Sequence, residues 1–490
     1  MGKILHNSYT NLEARLDAFP YQKEAFEAIK DLDYSAVFHE QGLGKTKIAI
    51  DLMLYWLVFR DIDTVMIVTK KQLVRNWENE LAIHTHLRPK VLTTNKKDNF
   101  FILNSATRVL LANFEVLSSE EERLSLFLRS RNVAIIVDES TKIKNPYTKL
   151  TQAFFSLSSL FKIRTIMTGT PVANRPYDIW AQIYFLDHGD SLGTDFESFK
   201  NQTDLTNELA FSEEKRHNFE QAISDIFLRI QGFSVRETKN SGIITLPKKV
   251  YSTVWCDFEL KQSIMYETLK KEYRLLVTKE NKMIIDESEE MLKRLLRLIQ
   301  VASNPKLIDD KYEGPSGKEN PLDDIINTVD QNNEYIIVWS SFIENVDFFC
   351  KKYKHLNAVK IHGKMAIEDR NKAVEVFKSG KSRVLFATPQ AAKEGLTLTI
   401  ANHVVFYDRG FNLDDYLQAQ DRIHRISQTK TCYIYNLMIK DSIDVWLDVL
   451  LRAKQNAASL TQGDCELAKF HEEMDYSFGD LVKEVLNIKI

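Results

Sequence analysis

The stretch SAVFHEQGLGKTKIAI (35–50) joins a short apolar run to a glycine-bearing loop and then to an apolar segment of helix-forming residues. Four more apolar runs follow in the first half of the chain: TVMIVT (64–69), VLLAN (109–113), AIIVD (134–138) and TIMTG (165–169). Nearly continuous β-branched runs are typical of strands that are buried on both faces of a parallel sheet. Because helical periodicity separates the runs, the pattern predicts an α/β fold.

The second half of the chain repeats this arrangement and predicts a second parallel sheet. Its runs are YIIVWS (335–340), AVKIHG (358–363), RVLFAT (383–388), HVVFYD (403–408) and CYIYNL (432–437). Between the halves, residues 195–230 and 258–300 are charged and helical in period, so we expect helical insertions there. The predicted domains are an N-terminal lobe 1–250 with an insertion at about 195–230, a helical insertion and linker 251–320, a C-terminal lobe 321–445 and a helical tail 446–490.

Composition sets broad limits on the class of protein. The chain has 490 residues, 44% of them hydrophobic and 27% charged, as in ordinary folded proteins. Its net charge of −3 does not by itself indicate a nucleic-acid partner. No apolar run reaches the length of a membrane span, the four cysteines lack the spacing of a zinc site, and MGKILHNSYT (1–10) lacks the pattern of a signal peptide. We therefore expect a cytoplasmic protein without a membrane partner.

The glycine-bearing loop of the opening stretch predicts a phosphate site. Backbone amides of Gly42, Leu43 and Gly44 can surround phosphate oxygens at the start of a helix. Lys45 would neutralise the β- and γ-phosphates, and the Thr46 hydroxyl would bind Mg²⁺. The strict phosphate-loop pattern has glycine where this chain has His39, so an ordinary glycine turn remains the alternative for this loop alone.

A second motif, VAIIVDES (133–140), predicts hydrolytic chemistry because a buried strand delivers two adjacent carboxylates. Asp138 would hold Mg²⁺, and Glu139 would orient and deprotonate the attacking water. The alternative for an isolated Asp-Glu pair is a solvated acidic turn. Together with the glycine loop, the motif predicts a nucleoside triphosphatase that uses ATP and Mg²⁺.

The segment QAQDRIHRISQ (418–428) predicts a further pair of phosphate ligands. Arg422 and Arg425 are three residues apart, which would place them on one face of a helix. Two arginines can neutralise the charge that develops on a γ-phosphate. An amphipathic helix with two solvated arginines is the alternative for this segment alone.

The ordered set of motifs resembles the superfamily-two helicase-like ATPases, and specifically the Swi/Snf family of double-stranded DNA translocases. FPYQKEAF (19–26) is similar to the family's adenine-recognition motif, with Gln22 in the reading position. EQGLGKT (40–46) is similar to the family's DEMGLGKT, which also lacks the first glycine. In the segment 65–81, Lys70 stands where the family often has proline. The further resembling segments of the first half are VMIVTKKQLVRNWENEL (65–81), DESTKIKNPYTK (138–149) and TGTPVANRPYDIWAQIYFL (168–186).

The second half carries the rest of the resemblance, which spans about residues 19–445. Its segments are LIQVASNPKLI (298–308), GKMAIEDR (363–370), KEGLTLTIANHVVFYDRGFN (393–412) and QAQDRIHRISQ (418–428). This chain has Asn304, Thr397, Phe411 and Ser427 where the family commonly has His, Asn, Trp and Gly. The resemblance implies two RecA-like lobes that hold ATP in the cleft between them, with Gly395 and Gln418 among the ATP contacts.

The resemblance also implies a DNA partner that both lobes grip by its phosphates. Thr168, Gly169 and Thr170 would couple hydrolysis to this grip. The candidate DNA contacts beside the motifs are Lys70, Lys71, Lys142, Lys144, Arg236, Lys239, Lys364, Thr388 and Lys393. For any one of the basic residues, a solvated surface side chain is the alternative.

Three competing functions remain open beside a motor on double-stranded DNA. The nearest is a helicase that separates strands or migrates branches at forked or branched DNA. An RNA helicase is less favoured because DEST (138–141) and TGT (168–170) replace that family's DEAD and SAT. A catalytically silent scaffold is disfavoured because Lys45, Glu139 and both arginines are present. The small number of elements outside the two lobes favours a prokaryotic or phage-infected cell over a eukaryotic nucleus, and the sequence does not identify protein partners.

Overall fold

Two parallel sheets organise the chain. A computed structural model describes residues 11–239, 241, 246–280, 289–392, 396–425, 427–477, 481 and 483–484. The described residues divide into two compact units. The first contains those of Met1–Asp204, Asn218–Ile244 and Ala458–Leu467, and the second contains those of Leu205–His217, Thr245–Ala457 and Ala468–Ile490.

The first sheet has seven strands in the order β3-β4-β2-β5-β6-β1-β7, and every neighbouring pair is parallel. The strands are β1 (Tyr34–Val37), β2 (Thr64–Thr69), β3 (Lys90–Val91), β4 (Val109–Asn113), β5 (Val133–Asp138), β6 (Ile163–Met167) and β7 (Ser234–Val235). All residues of β2, β4 and β5 are buried. This burial explains why their sequences are continuous apolar runs rather than alternating ones.

Helices connect these strands. They are α1 (Pro20–Ile29), α2 (Lys45–Phe59), α3 (Val74–His84), α4 (Lys96–Leu103), α5 (Phe114–Ser119), α6 (Glu121–Ser130), α7 (Lys149–Ser158), α8 (Trp180–Asp187), α9 (Phe196–Thr203) and α10 (Glu213–Ile230). Helix α2 is apolar around most of its circumference and is accordingly buried from Lys47 to Leu54 except at Asp51. Its burial fixes the position of the glycine loop that precedes it.

The second sheet has six parallel strands in the order β10-β11-β9-β12-β13-β8. They are β8 (Lys249–Cys256), β9 (Ile336–Trp339), β10 (Val359–Ile361), β11 (Val384–Ala387), β12 (His403–Phe406) and β13 (Cys432–Ile439). The helices that follow α10 are α11 (Leu260–Glu280), α12 (Glu289–Ser303), α13 (Glu319–Gln331), α14 (Ile343–Lys352), α15 (Ile367–Lys378), α16 (Pro389–Ala392), α17 (Leu413–Gln420), α18 (Ile443–Thr461) and α19 (Leu467–Glu473).

Short 3₁₀ turns complete the regular structure. They are Lys71–Leu73, Ser140–Ile143, Pro176–Ile179, Asn207–Ala210, Pro305–Leu307 and Lys354–Leu356. Among the described residues, no helix combines the length and the apolar character that crossing a membrane requires.

The structure confirms the predicted α/β fold with two parallel sheets and helical insertions, and each of the ten predicted runs forms a strand. Strands β3, β7 and β8 were not predicted. The first two contain two residues each, and β8 is an edge strand whose residues are mostly exposed or half-buried. Residues 251–256, expected in a helical insertion, therefore belong to the second sheet.

Candidate active site

Four neighbouring strands of the first sheet end at the same edge, in the order β2-β5-β6-β1. The register aligns Asp138 of β5 with Met167 of β6, and Met167 with Val37 of β1. Because the strands are parallel, the segments that follow them meet at one edge. This edge thus brings together the glycine loop, the two carboxylates and the TGT segment that were predicted separately.

The glycine loop turns sharply into helix α2. Gly42 and Gly44 have φ of +86° and +69°, and α2 begins at Lys45. A Cβ at Gly44 would lie 2.2 Å from Nε2 of Gln22 and would stand on a backbone conformation that L residues rarely adopt, so the position strongly favours glycine. Leu43, between the glycines, is buried. Thr46 is the half-buried second residue of α2.

Lys45 places its amine inside this loop. Its Nζ donates to the carbonyl oxygens of His39, at 2.9 Å, and Glu40, at 3.4 Å. Burial lowers the pKa of Lys45 to about 8, although the carboxylates of Glu139 and Asp138 favour its charged form. A phosphate oxygen would offer this amine a charged partner in place of the two carbonyls.

His39 is a neutral neighbour of this cation. Its side chain is buried, and burial together with the charge of Lys45 lowers its pKa to about 4. The ring therefore carries no proton charge at neutral pH, and it adds no repulsion to Lys45. Its carbonyl oxygen is the group that accepts from Lys45.

Asp138 ends β5 in a buried position and is held by two donors. Thr69 Oγ1 and Trp77 Nε1 both donate to its Oδ2, at 3.0 and 2.9 Å. Burial, followed by the charge of Glu139, raises the pKa of Asp138 to about 6, while Trp77, Thr69 and Lys45 oppose this rise. Trp77 and Thr69 had no predicted role, although both lie in the quoted segment VMIVTKKQLVRNWENEL (65–81).

Glu139 has an uncommon backbone conformation, with φ of +58°. A non-glycine residue in the left-handed region costs of order 1–3 kcal/mol, a strain often found at functional sites. Its carboxylate oxygen Oε2 accepts from Nζ of Lys70 at 3.2 Å. Lys70, a predicted DNA contact, thus faces a carboxylate at this edge of the sheet.

Gln22 is packed against the glycine loop. Its Oε1 accepts from the backbone N–H of Phe19 at 2.9 Å, and its Nε2 donates to the carbonyls of Leu43 and Gly44, at 3.3 and 3.4 Å. The hydroxyl of Tyr21 donates to the Leu43 carbonyl at 3.1 Å. The predicted base-recognition residue and the predicted phosphate loop are therefore in direct contact.

The TGT segment lies against the same loop. The N–H of Thr168 donates to the carbonyl of Val37 at 3.2 Å, and the N–H of Thr170 donates to Oγ1 of Thr168 at 3.2 Å. A Cβ at Gly169 would lie 2.5 Å from Cγ of Gln41 and 3.2 Å from Nζ of Lys45. Gly169 therefore lies close to the Lys45 amine, so a movement of the TGT segment would act directly on that amine.

In the second unit, Arg422 and Arg425 follow helix α17. Arg425 donates to Oγ1 of Thr397 at 2.7 Å and to the carbonyl of Asp421 at 3.1 Å, and burial lowers its pKa. Nη1 of Arg422 donates to the Leu396 carbonyl at 3.3 Å. Gln418 is buried and donates to Oδ1 of Asp414 at 2.7 Å.

The prediction that the two arginines share a helix face was wrong, because α17 ends at Gln420. The N–H of Leu398 donates to the carbonyl of Arg422, and the Gln428 amide donates to that of Ile423. These two bonds, one from Leu398 and one from the Gln428 side chain, replace helical i to i+4 bonds and hold the segment as a turn. Gly395 and Lys393 lie outside the described residues.

The predicted DNA contacts that the structure describes, apart from Lys70, fall into two groups. Lys71, Lys142 and Lys364 are exposed, and Lys364 is 3.8 Å from Glu344. The others have partners within the protein. Lys144 pairs with Asp178, and Lys239 pairs with Glu40. Arg236 donates to Asp464 and to the Phe38 carbonyl, and the N–H of the buried Thr388 donates to the Ile361 carbonyl. Arg236 and Lys239 would have to exchange these carboxylates for a phosphate to contact DNA, so they stay predicted contacts.

The hydrogen bond from Trp77 to Asp138 should contribute measurably to stability. Trp77→Phe keeps the apolar bulk but removes the donor to a buried carboxylate, so we expect the free energy of unfolding to fall by about 1–3 kcal/mol. Trp180→Phe is a matched control, because Trp180 is also buried but donates to the Gly193 carbonyl. Urea unfolding followed by circular dichroism should show the larger loss for Trp77→Phe, and equal losses would contradict the special role of the Asp138 bond.

Comparisons with known proteins identify relatives of this chain. The sequence profile of the SNF2-related domain matches residues 22–307, and that of the helicase conserved C-terminal domain matches residues 317–427. An uncharacterized ATP-dependent helicase of Mycoplasma pneumoniae is 27% identical over 90% of this chain and 42% of its own length. The DNA repair and recombination protein RAD54-like of Mus musculus is 28% identical over 83% of this chain and 60% of its own length.

A bacterial relative and a solved structure extend the comparison. The putative ATP-dependent helicase/translocase YwqA of Bacillus subtilis is 26% identical over 89% of this chain and 48% of its own length. The chain thus spans about half the length of the curated relatives it matches. The Sulfolobus solfataricus SWI2/SNF2 ATPase core in complex with dsDNA is 21% identical, with a TM-score of 0.42, over 94% of this chain and 98% of that one.

Proposed function

The chain belongs to the family defined by the SNF2-related domain, and from that premise we propose that it is a motor that couples ATP hydrolysis to movement along double-stranded DNA. The observation that carries the proposal is the cluster of Lys45, Asp138 and Glu139 at one edge of the first sheet, with Gly169 against the Lys45 amine. A cation beside two carboxylates suits a triphosphate and its metal ion. Because Gly169 belongs to the segment proposed to link hydrolysis to DNA, its position against the Lys45 amine supports coupling of ATP hydrolysis to DNA binding.

Each residue of the cluster has a distinct chemical task in this proposal. Lys45 and the amides of the glycine loop bind the phosphates, and Gln22 recognises the base. Glu139 accepts a proton from the attacking water, and Arg422 and Arg425 neutralise the γ-phosphate charge. Thr168, Gly169 and Thr170 transmit the state of the DNA to the phosphate loop.

Mg²⁺ fits the donors that are present. Asp138 and Thr46 would supply carboxylate and hydroxyl oxygens, which are the ligand atoms that this ion prefers. The ion would neutralise charge on the triphosphate when bound. Thr69 and Trp77 hold the Asp138 carboxylate in one orientation, so a metal ligand would need little reordering on binding.

The proposed DNA grip relies on exposed cations and not on base recognition. Lys71, Lys142 and Lys364 have side chains that reach solvent, and contacts to phosphates carry no sequence information. The second candidate function is strand separation or branch migration at forked DNA. It is favoured by the similarity to the DNA repair and recombination protein RAD54-like.

The discriminating experiment is ATPase activity titrated with duplex, single-stranded, forked and four-way-junction DNA and with RNA. Duplex stimulation without strand separation is the expected result for a translocase. Unwinding of forks or junctions would select the second candidate. Stimulation by RNA alone would contradict both proposals.

DNA binding should weaken as salt is raised, because phosphate contacts release counterions. For three phosphate contacts, the DNA concentration that gives half-maximal ATPase should rise by about 40-fold between 50 and 200 mM salt. The maximal rate at saturating DNA should change little, and Lys71→Ala should lower the slope of log affinity against log salt by about 1. Half-saturation that does not depend on salt would contradict a phosphate grip.

A further inference from the structure

Lys70 and Glu139 form an ion pair next to the proposed catalytic cluster. They follow β2 and β5, two neighbouring strands whose register aligns Val68 with Val137. Nζ of Lys70 lies 3.2 Å from Oε2 of Glu139, and the side chains are only 20% and 18% exposed. Partial burial strengthens such a pair relative to one on the open surface.

This pair engages one of the two carboxylate oxygen atoms that Glu139 can offer for catalysis. To orient and deprotonate a water, a carboxylate must offer that water a lone pair. An ammonium group that donates to Oε2 competes with the water for the lone pairs of that oxygen and limits the orientations open to the carboxylate. The pair therefore restrains the group to which hydrolysis is assigned.

The surroundings of Lys70 provide a way to break the pair. Lys70 directly precedes the 3₁₀ turn Lys71–Leu73, and Lys71 and Arg75 are exposed. These cations would attract a DNA phosphate to this surface. A lysine has a flexible stem and three donors, so its amine can exchange a carboxylate for a phosphate without backbone movement.

We propose that Lys70 is a positioning residue that restrains Glu139 in the absence of DNA and releases it when a DNA phosphate binds. The proposal rests on the proposed function for the identity of the releasing ligand. It makes one ion pair the link between DNA binding and the start of hydrolysis. Loss of Lys70 leaves the charge of Lys45 near Glu139, so the carboxylate would keep a compensating cation.

The first test is ATP turnover without DNA. Lys70→Met should raise the DNA-free kcat by about 5- to 10-fold and leave the KM for ATP within about 2-fold, because only the restraint is removed. Lys70→Arg keeps the cation and should restore most of the restraint. Lys162→Met is the matched control, since Lys162 is exposed at the opposite end of the sheet, before β6.

A DNA-free kcat of Lys70→Met that equals or falls below that of the parent would overturn the proposal. A fall would mean that Lys70 aligns Glu139 for catalysis. A parent protein that no DNA stimulates would instead contradict the proposed function. The DNA-free kcat of Lys70→Met tests the restraint in either case.

The second test measures duplex affinity without nucleotide and needs no turnover. Glu139→Gln weakens the pair and frees Lys70, so duplex affinity should rise by about 3- to 10-fold. The gain should disappear in the Lys70→Met background. Equal duplex affinity for the parent and Glu139→Gln, in fluorescence anisotropy at fixed salt, would overturn release by DNA.

Discussion

Glu139→Gln is expected to reduce ATP turnover by about 100- to 10,000-fold, the contribution that a general base typically makes. The amide has the size of the carboxylate but cannot take up the proton of the attacking water. It also fits the left-handed backbone at this position as well as glutamate does. ATP binding should persist, because the proposed phosphate ligands lie on the glycine loop. Steady-state ATPase and binding of a fluorescent ATP analogue measure the two effects separately.

Two further variants make this result specific. Lys45→Ala should lose nucleotide affinity as well as turnover, because its amine is the proposed phosphate ligand. Glu78→Gln, on the exposed side of α3, makes the same chemical change away from the cluster and should leave both quantities unchanged. Turnover of Glu139→Gln within about 10-fold of the parent would refute its role as the base.

Arg425→Ala should slow hydrolysis by about 1,000-fold or more while leaving most of the ATP affinity, as expected for an arginine that stabilises a transition state. Burial and the bonds to Thr397 and the Asp421 carbonyl hold its side chain in one orientation. A pre-organised guanidinium needs little ordering when charge develops on the phosphate. Single-turnover hydrolysis at saturating ATP isolates this step.

The controls for Arg425 separate chemistry from folding. Arg425→Lys keeps the charge but loses the planar fork and should give an intermediate rate. Arg452→Ala removes an exposed arginine of the same unit and should have no effect. Equal losses of ATP affinity and turnover in Arg425→Ala would indicate local misfolding, and parent-like turnover would contradict the proposed role.

Buried strands were the most predictable part of the fold. Short, continuous runs rich in β-branched residues, such as residues 64–69 and 134–138, are typical of strands buried on both faces of a sheet, so pattern alone identified them. Strand β8 was not predicted from the sequence, because Tyr251 and Trp255 are about half exposed and an edge strand has no continuous buried face. The turn after Gln420 was not predicted, because the carbonyl of Arg422 accepts from the N–H of Leu398, which is distant in sequence.

The candidate site was predictable in its motifs but not in its ion pairs. Strand ends and glycines are local signals, and they placed Lys45, Asp138 and Glu139 in one neighbourhood. The partners of Lys70 and Arg236 lie 69 and 228 residues away, so only the folded chain brings them together. The sequence therefore shows that a positive charge lies beside a motif, but the group that pairs with that charge depends on the tertiary structure.

Because Gly44 and Gly169 have no side chain, these two positions limit which amino-acid substitutions the site tolerates. Gln22, the glycine loop and the TGT segment occupy one shared volume, and each glycine leaves the space that a neighbouring element fills. In a library of random single substitutions, even alanine would displace the Gln22 side chain at Gly44 and the Gln41 side chain at Gly169, and at Gly44 it would also adopt a strained φ. Exposed positions such as Lys71 and Lys142 would accept many residues with an intact fold. A map of tolerated substitutions would therefore outline the site without any assay of its chemistry.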